Sequence, residues 1–301
     1  MPRTAHTTFR GLSTAQFVAL VSAAALAAVL LPLHLLLVGP IVLGVPHVIG
    51  DVRALVLQKP GGFGGKTALA SLAALGAMTA LRAASMAGAQ LPPQLELGAG
   101  LLAVLLAILV GSRASRRRTL ALAASLTLGG IALAWPRTST LLLAHAHNFI
   151  ALFLWFALAR GSARGRGSLL AYALAFAAVF VLPHSAPENL GEFRWNEFAA
   201  TLAPGLDGDI ADRVVRSFAF AQLVHYALWC GPLPLAKGSS LASEAGRAGV
   251  ALVIVACAAL PLAGLFDAAA TRSTYLSLAV AHGWLELALI GFLVSRGRVS
   301  A

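Results

Sequence analysis

The chain has 301 residues, of which 59% are hydrophobic and only 11% are charged. Soluble domains are roughly half apolar and a quarter charged, so this composition excludes a water-soluble globular fold. The net charge of +11 does not indicate a nucleic-acid-binding protein, because the basic residues lie in short loops between apolar stretches rather than along one face.

Ten apolar stretches follow one another along the chain, each near the length of about 20 residues that a helix needs to cross hydrocarbon. The predicted fold is therefore an all-α, polytopic transmembrane helical bundle of about ten spans, a single integral membrane domain over residues 1–301. The predicted spans lie at about 12–31, 39–58, 67–89, 95–111, 119–135, 139–159, 168–183, 212–231, 248–266 and 274–295.

The basic residues of the short loops fall on one side when the spans alternate in direction. The positive-inside rule makes that side the cytoplasm, so both termini are predicted to be cytoplasmic and the protein to be multi-pass in a bacterial-type inner (plasma) membrane. The same rule favours the N-terminal apolar run as a first span over a cleaved signal peptide. A long loop at about 184–211 is predicted to be extracytoplasmic, either as a solvated connector or as a lid.

Of the eleven acidic residues, only Asp51 and Glu286 lie well inside a predicted span. Each follows a histidine by four positions, His47 and His282 respectively, so each pair shares one helix face. An ionisable group in the bilayer interior costs about 2.5–3.5 kcal/mol, so each such group needs a partner or a function.

Two more predicted spans contribute histidines: one carries His145 and His147, and another carries His225. Counted at about 1.5 Å per residue from the outer ends, these side chains lie at similar depths in the membrane. Imidazole and carboxylate together suit iron, zinc, manganese or copper. The predicted metal ligands are His47, Asp51, His145, His147, His225, His282 and Glu286, and the predicted catalytic residues are His47, Asp51 and Glu286.

Two residues turn a helix by about 200°, so His145 and His147 cannot both point at one ion, and either could be the ligand. The remaining histidines fall outside the membrane interior and are predicted not to bind metal, and the two cysteines are predicted to be packing residues. These residues are His6, His34, His184, Cys230 and Cys257.

The segment Gly44-Val-Pro-His-Val-Ile-Gly-Asp51 resembles the Gly-x-Pro-His-x-x-x-Asp signature of the Brp/Blh family of bacterial membrane-bound β-carotene 15,15′-dioxygenases. The resemblance implies an iron-dependent, oxygen-using enzyme that cleaves a long apolar polyene to retinal. It also implies that His47 is an iron ligand and Asp51 its partner. Val48 and Cys230 differ from the glycine and the histidine that the family usually has.

The favoured function is a membrane-embedded, metal-dependent oxygenase that acts on a lipid-soluble substrate such as a carotenoid, with O₂ and membrane lipids as its other partners. Non-haem iron in a dinuclear centre is the favoured cofactor, and zinc, copper and haem stay open. One alternative is a haem-b membrane cytochrome with two axial histidines. Another is a proton-coupled transporter or channel that uses a histidine–carboxylate relay. The sequence indicates no nucleic-acid partner and does not indicate an oligomeric state.

Overall fold

The regular structure of this chain is almost entirely helical. A computed structural model describes residues 12–53, 63, 65–111, 113–158, 163–182, 189–190, 193–231 and 241–297. Within them the helices are α1 (Thr14–Leu30), α2 (Pro32–Val52), α3 (Lys66–Met86), α4 (Pro93–Gly111), α5 (Arg116–Ala134), α6 (Pro136–Leu158), α7 (Ala163–Val181), α8 (Trp195–Leu202), α9 (Gly208–Cys230), α10 (Leu241–Gly264) and α11 (Ala268–Ser295). Two short strands, β1 (Asn189–Leu190) and β2 (Phe193–Arg194), pair antiparallel.

The predicted all-α fold is confirmed for the part of the chain that the structure describes. Among the described residues, six helices are long and apolar enough to cross a membrane: α2, α3, α4, α11, most of α6 and the part of α10 from Gly246 to Gly264. The positive φ of Gly246 breaks the helical geometry of α10 at this point. The total of ten spans and the cytoplasmic placement of the termini stay predictions.

Helix α2 begins about seven residues before the predicted start of the second span, which was placed near residue 39. It begins at Pro32, where proline is tolerated because the first helical residues have no main-chain hydrogen-bond partner for their N–H groups. The helix then continues through Pro40 and Pro46. Each internal proline removes a main-chain hydrogen bond, so α2 is weakened directly before His47.

The chain divides into two compact units, with boundaries that fall inside the continuous helices α2, α6 and α11. Unit 1 comprises Met1–Gly50 and Asn148–Ala269, and unit 2 comprises Asp51–His147 and Ala270–Ala301. His47 and His225 therefore belong to unit 1. Asp51, His147, His282 and Glu286 belong to unit 2.

Unit 1 is built around helices α1, α7 and α9, which pack on one another, and α8 packs on α9. The predicted extracytoplasmic loop contains β1, β2 and α8, and its described part folds back onto unit 1. Trp195 and Phe198 of α8 are buried in a cluster with Leu33 and Val215. The Trp195 indole donates a hydrogen bond to Asp212. The first residues of this loop, including His184, lie outside the described residues, as does His6.

Unit 2 packs α3 against α4 and α4 against α5, and glycine makes close helix approach possible. A Cβ on Gly100 of α4 would overlap the Trp284 ring of α11, and one on Gly111 would overlap Phe292. These glycines bring α4 and α11 close together, which positions the face of α11 that carries His282 and Glu286.

One charged residue inside a predicted span, Arg82, forms an ion pair within unit 2. Its Nη2 lies 2.8 Å from Glu96 Oε2 in the first turn of α4. The ion pair gives it a protein partner, so it is not an isolated charge in an apolar segment.

Candidate metal centre

Three helices bring two histidines and two carboxylates to the interior of unit 2. His147 lies on α6, His282 and Glu286 lie one turn apart on α11, and Asp51 lies in the last turn of α2. The Asp51 and Glu286 side chains are fully buried. We call these four residues the acidic histidine set.

The two imidazoles of the acidic histidine set meet through the same ring atom. His147 Nε2 lies 3.0 Å from His282 Nε2, and the rings are nearly perpendicular, with centroids 4.6 Å apart. On the other side of each ring, Nδ1 lies near an oxygen atom, and only the His282 contact has hydrogen-bond geometry. His147 Nδ1 lies 2.9 Å from Glu286 Oε2, and His282 Nδ1 contacts the carbonyl oxygen of Ala279.

The carbonyl oxygen beside His282 Nδ1 decides which nitrogen of that ring carries the proton. A carbonyl oxygen only accepts, so Nδ1 donates to Ala279, and in the neutral ring Nε2 presents a lone pair to His147 Nε2 across 3.0 Å. A neutral His147 with its proton on Nε2 donates to that lone pair. With its proton on Nδ1, two lone pairs face each other and repel, and a cation beside both nitrogens would make the arrangement favourable.

Asp51 is a further group of the acidic histidine set that a nearby positive charge would stabilise. Neither of its carboxylate oxygens has a hydrogen-bond partner within the described ranges of the chain, although the side chain is fully buried. Glu286 is close enough for the two carboxylates to repel each other. Burying two like charges is costly, and a divalent cation between them would offset that cost. The residues present therefore fit a metal ion.

Gly283 has no side chain, and this leaves the space beside α11 that the His147 ring occupies. A Cβ at this position would lie 3.0 Å from His147 Nδ1, which is tighter than an ordinary van der Waals contact. Any larger residue would require the imidazole to shift. The glycine between His282 and Trp284 is thus part of the geometry of the acidic histidine set.

Unit 1 holds a second histidine pair with different surroundings. His47 of α2 and His225 of α9 are buried, their rings lie 5.3 Å apart between centroids, and their nearest ring nitrogens lie within 4.8 Å of each other. The Tyr226 ring lies 4.5 Å from the His47 ring. Gln222 Nε2 donates to Tyr226 Oη over 3.2 Å. We call these four residues the aromatic histidine set.

The structure places His147, and not His145, against His282 and Glu286. His145 is half-buried on another side of α6. Sequence reasoning did not single out Tyr226 or Gly283 as site residues. Two signals were available: Gln222 and Tyr226 are spaced i,i+4, and a glycine directly follows His282.

Comparison of this chain with family models, with characterised proteins and with solved structures finds no match. The dioxygenase resemblance of the segment from Gly44 to Asp51 therefore stays a prediction. The predicted convergence of His47, His225 and His282 on one site also stays a prediction.

Proposed function

We propose that this protein is a membrane-embedded, metal-dependent oxygenase that acts on a lipid-soluble substrate. The observation that carries the proposal is the acidic histidine set, in which two Nε2 atoms face each other at 3.0 Å beside two buried carboxylates. Two nitrogens bound to one ion at about 2.0–2.1 Å and at right angles are about 2.9 Å apart, close to this separation.

In this proposal His147, His282, Glu286 and Asp51 hold one ion, and His47 and His225 supply nitrogens to a second. Mixed imidazole and carboxylate ligands suit iron, which is the proposed cofactor. When bound, iron supplies the binding and reduction of O₂, which side chains alone cannot perform. The Ala279 carbonyl orients His282, as supporting groups do for metal-bound histidines, and Glu286 supplies negative charge beside His147.

An apolar substrate such as a carotenoid is consistent with both the setting and the sequence. The long apolar helices support a site that is reached from within the bilayer and shielded from water. The Pro46-His47-x-x-x-Asp51 segment supports a polyene substrate through its resemblance to the carotenoid dioxygenases.

We further propose that the chain crosses a bacterial inner membrane ten times, with both termini in the cytoplasm. The basic loops that the positive-inside rule places inside support this orientation. Ala114, exposed in the α4–α5 loop, gives a test that spares the helix cap at Ser115. With Cys230 and Cys257 replaced by Ser, a cysteine at Ala114 should react with a membrane-impermeant maleimide only after cell lysis. Labelling of intact cells would contradict the orientation.

A proton-coupled transporter is the second candidate, because His282, His147 and Glu286 follow one another at 3.0 and 2.9 Å and Asp51 interacts electrostatically with Glu286. A proton shared by the two Nε2 atoms would relieve the same lone-pair repulsion. A haem between His147 and His282 fits poorly, because two axial nitrogens on opposite sides of one iron are about 4 Å apart for bonds of about 2.0 Å.

The deciding experiment is metal quantification and an optical spectrum of the full-length protein after gentle detergent purification. Expression in carotenoid-producing cells, with analysis of cleavage products, accompanies it. Bound non-haem iron and an oxygen-dependent product are the expected result. A protein that holds no metal, but takes up protons with a solute in liposomes, would overturn the oxygenase and favour the relay. A Soret band would favour a cytochrome.

A further inference from the structure

We propose that Tyr226, anchored by Gln222, is a positioning residue that fixes the orientation of the His47 imidazole. This inference rests on the proposed function, in which His47 is a metal ligand. It assigns a role to two residues of α9 that would not themselves bind the ion. The carrying observation is the contact of the His47 ring with two consecutive side chains of that helix.

His47 lies in a corner formed by His225 and Tyr226. The Tyr226 ring is 4.5 Å from the His47 ring and inclined by 38°, whereas the His225 ring is 5.3 Å away and inclined by 70°. The two neighbouring rings therefore contact the imidazole at different inclinations, one tilted and one nearly perpendicular. Two contacts from different directions restrict rotation of the ring about its side-chain bonds.

The phenol ring is itself held in place. Gln222 and Tyr226 lie one turn apart on α9, so their side chains share a face of the helix. The Gln222 amide donates to the Tyr226 hydroxyl oxygen at 3.2 Å, and both side chains are buried. This hydrogen bond gives the buried hydroxyl a partner, and it fixes the ring against which His47 packs.

A metal-bound histidine needs such a support, because ligation requires its nitrogen to point at the ion. In unit 2, His282 receives that support from the Ala279 carbonyl oxygen at its Nδ1. In unit 1, Tyr226 supplies it to His47 through packing. A purely structural tyrosine would contribute stability, but its replacement would leave the ligand geometry of His47 unchanged.

The test uses the full-length protein in detergent with Cu²⁺ as the probe, read by affinity and by the electron paramagnetic resonance spectrum. Tyr226→Leu removes the ring, Tyr226→Phe keeps the ring and removes the hydroxyl, and Gln222→Leu removes the anchor. Gly39→Ala is the matched control, because its Cβ would meet the Tyr226 ring at an ordinary 3.7 Å.

We expect Tyr226→Leu to weaken Cu²⁺ binding about tenfold and to change the spectrum, as loss of a supporting group does at metal sites. Tyr226→Phe and Gln222→Leu should each cause a smaller change of the same kind, and Gly39→Ala none. In a His47→Ala background, Tyr226→Leu should have no further effect on either readout, because the two residues act as one unit. Equal effects in both backgrounds, or an unchanged spectrum in all three α9 variants, would overturn the inference.

A second readout separates this inference from the proposed function. Diethyl pyrocarbonate modifies accessible histidines, and the rate at His47 can be followed by mass spectrometry in metal-free protein. The rate should be higher in Tyr226→Leu than in wild type or Gly39→Ala. If the wild-type protein binds no Cu²⁺, the proposed function fails, while this rate still decides the role of Tyr226. An unchanged rate would contradict it.

Discussion

Acidic side chains surround the histidine pair of unit 2, whereas an aromatic ring and an amide surround the pair of unit 1. His147 faces Glu286 at 2.9 Å, with Asp51 buried nearby. His47 instead packs against Tyr226, which is held by Gln222. Both pairs consist of imidazoles from two helices, buried in unit 1 and partly buried in unit 2. The difference between them lies in the groups that contact the rings and in the charge of those groups.

Under the proposed function, the contrast gives two ways in which an apolar protein prepares imidazole for an ion. Carboxylates of the acidic histidine set supply negative charge beside the rings, which favours a cation strongly. The aromatic histidine set contains no carboxylate of its own and supplies orientation. If both sets bind metal, the acidic set should hold its ion more tightly.

The largest effect is expected for His282→Ala. Removing this ring takes away one of two facing nitrogens and leaves two buried carboxylates with a single imidazole. Metal affinity of the acidic histidine set should fall by more than about 100-fold, beyond the usual effect of losing a supporting group. Elemental analysis and Co²⁺ titration of the purified variant measure this change.

The matched control for His282→Ala is His145→Ala, which removes an imidazole from α6 only two residues from His147. His145 lies on another side of that helix, so its removal should leave metal content and affinity at the wild-type level. Equal loss of metal in both variants would place the ligands elsewhere and end the distinction between the two sets.

A smaller loss is expected for His47→Ala. It replaces a buried polar ring by an apolar group, so the protein should remain folded and inserted in the membrane. Metal content should fall by about one ion per chain, because the ion of the acidic histidine set should stay bound. Oxygenase turnover should be lost if the reaction requires both ions. Metal quantification with product analysis tests this. Unchanged metal content, or complete metal loss, would contradict independent binding by the two sets.

The helices and the acid–histidine spacings could be predicted because both are local patterns. Apolar stretches marked α1 and α4 to within two residues at each end, and the i,i+4 spacing placed Glu286 and His282 on one face. The early start of α2 was missed because a proline can mark either a break between helices or the first turn of a helix, and the sequence alone does not say which applies to Pro32.

Pairings between helices could not be predicted in the same way. The choice between His145 and His147 depends on the rotation of α6 against α11, which Gly283 permits at that point. The partner of Arg82 depends on the packing of α3 against α4. No local periodicity encodes either contact, because each is fixed only when two separate faces meet.

Asp51→Asn sharpens the comparison by removing charge while preserving shape. If the carboxylate is what distinguishes the acidic histidine set, the variant should bind metal about 10- to 100-fold more weakly at that set. Without metal, the variant should be at least as stable as the wild type, because one of two repelling buried carboxylates is gone. Co²⁺ titration and thermal unfolding with and without metal measure the two effects. A less stable metal-free variant would indicate a structural role for the charge.

The smallest effect is expected for Gly283→Ala, which changes no ligand. The new Cβ would lie 3.0 Å from His147 Nδ1, so the imidazole must move by a few tenths of an ångström. We expect metal affinity of the acidic histidine set to fall several-fold, up to about tenfold, while binding at the aromatic set is unchanged. Stability should not fall in parallel, because alanine is favoured over glycine inside a helix by about 1 kcal/mol. Gly76→Ala on α3 is the control, since no atom lies within 4 Å of its Cβ. Unaltered affinity in Gly283→Ala would mean that the ring adjusts freely, and that charge alone sets the properties of the acidic histidine set.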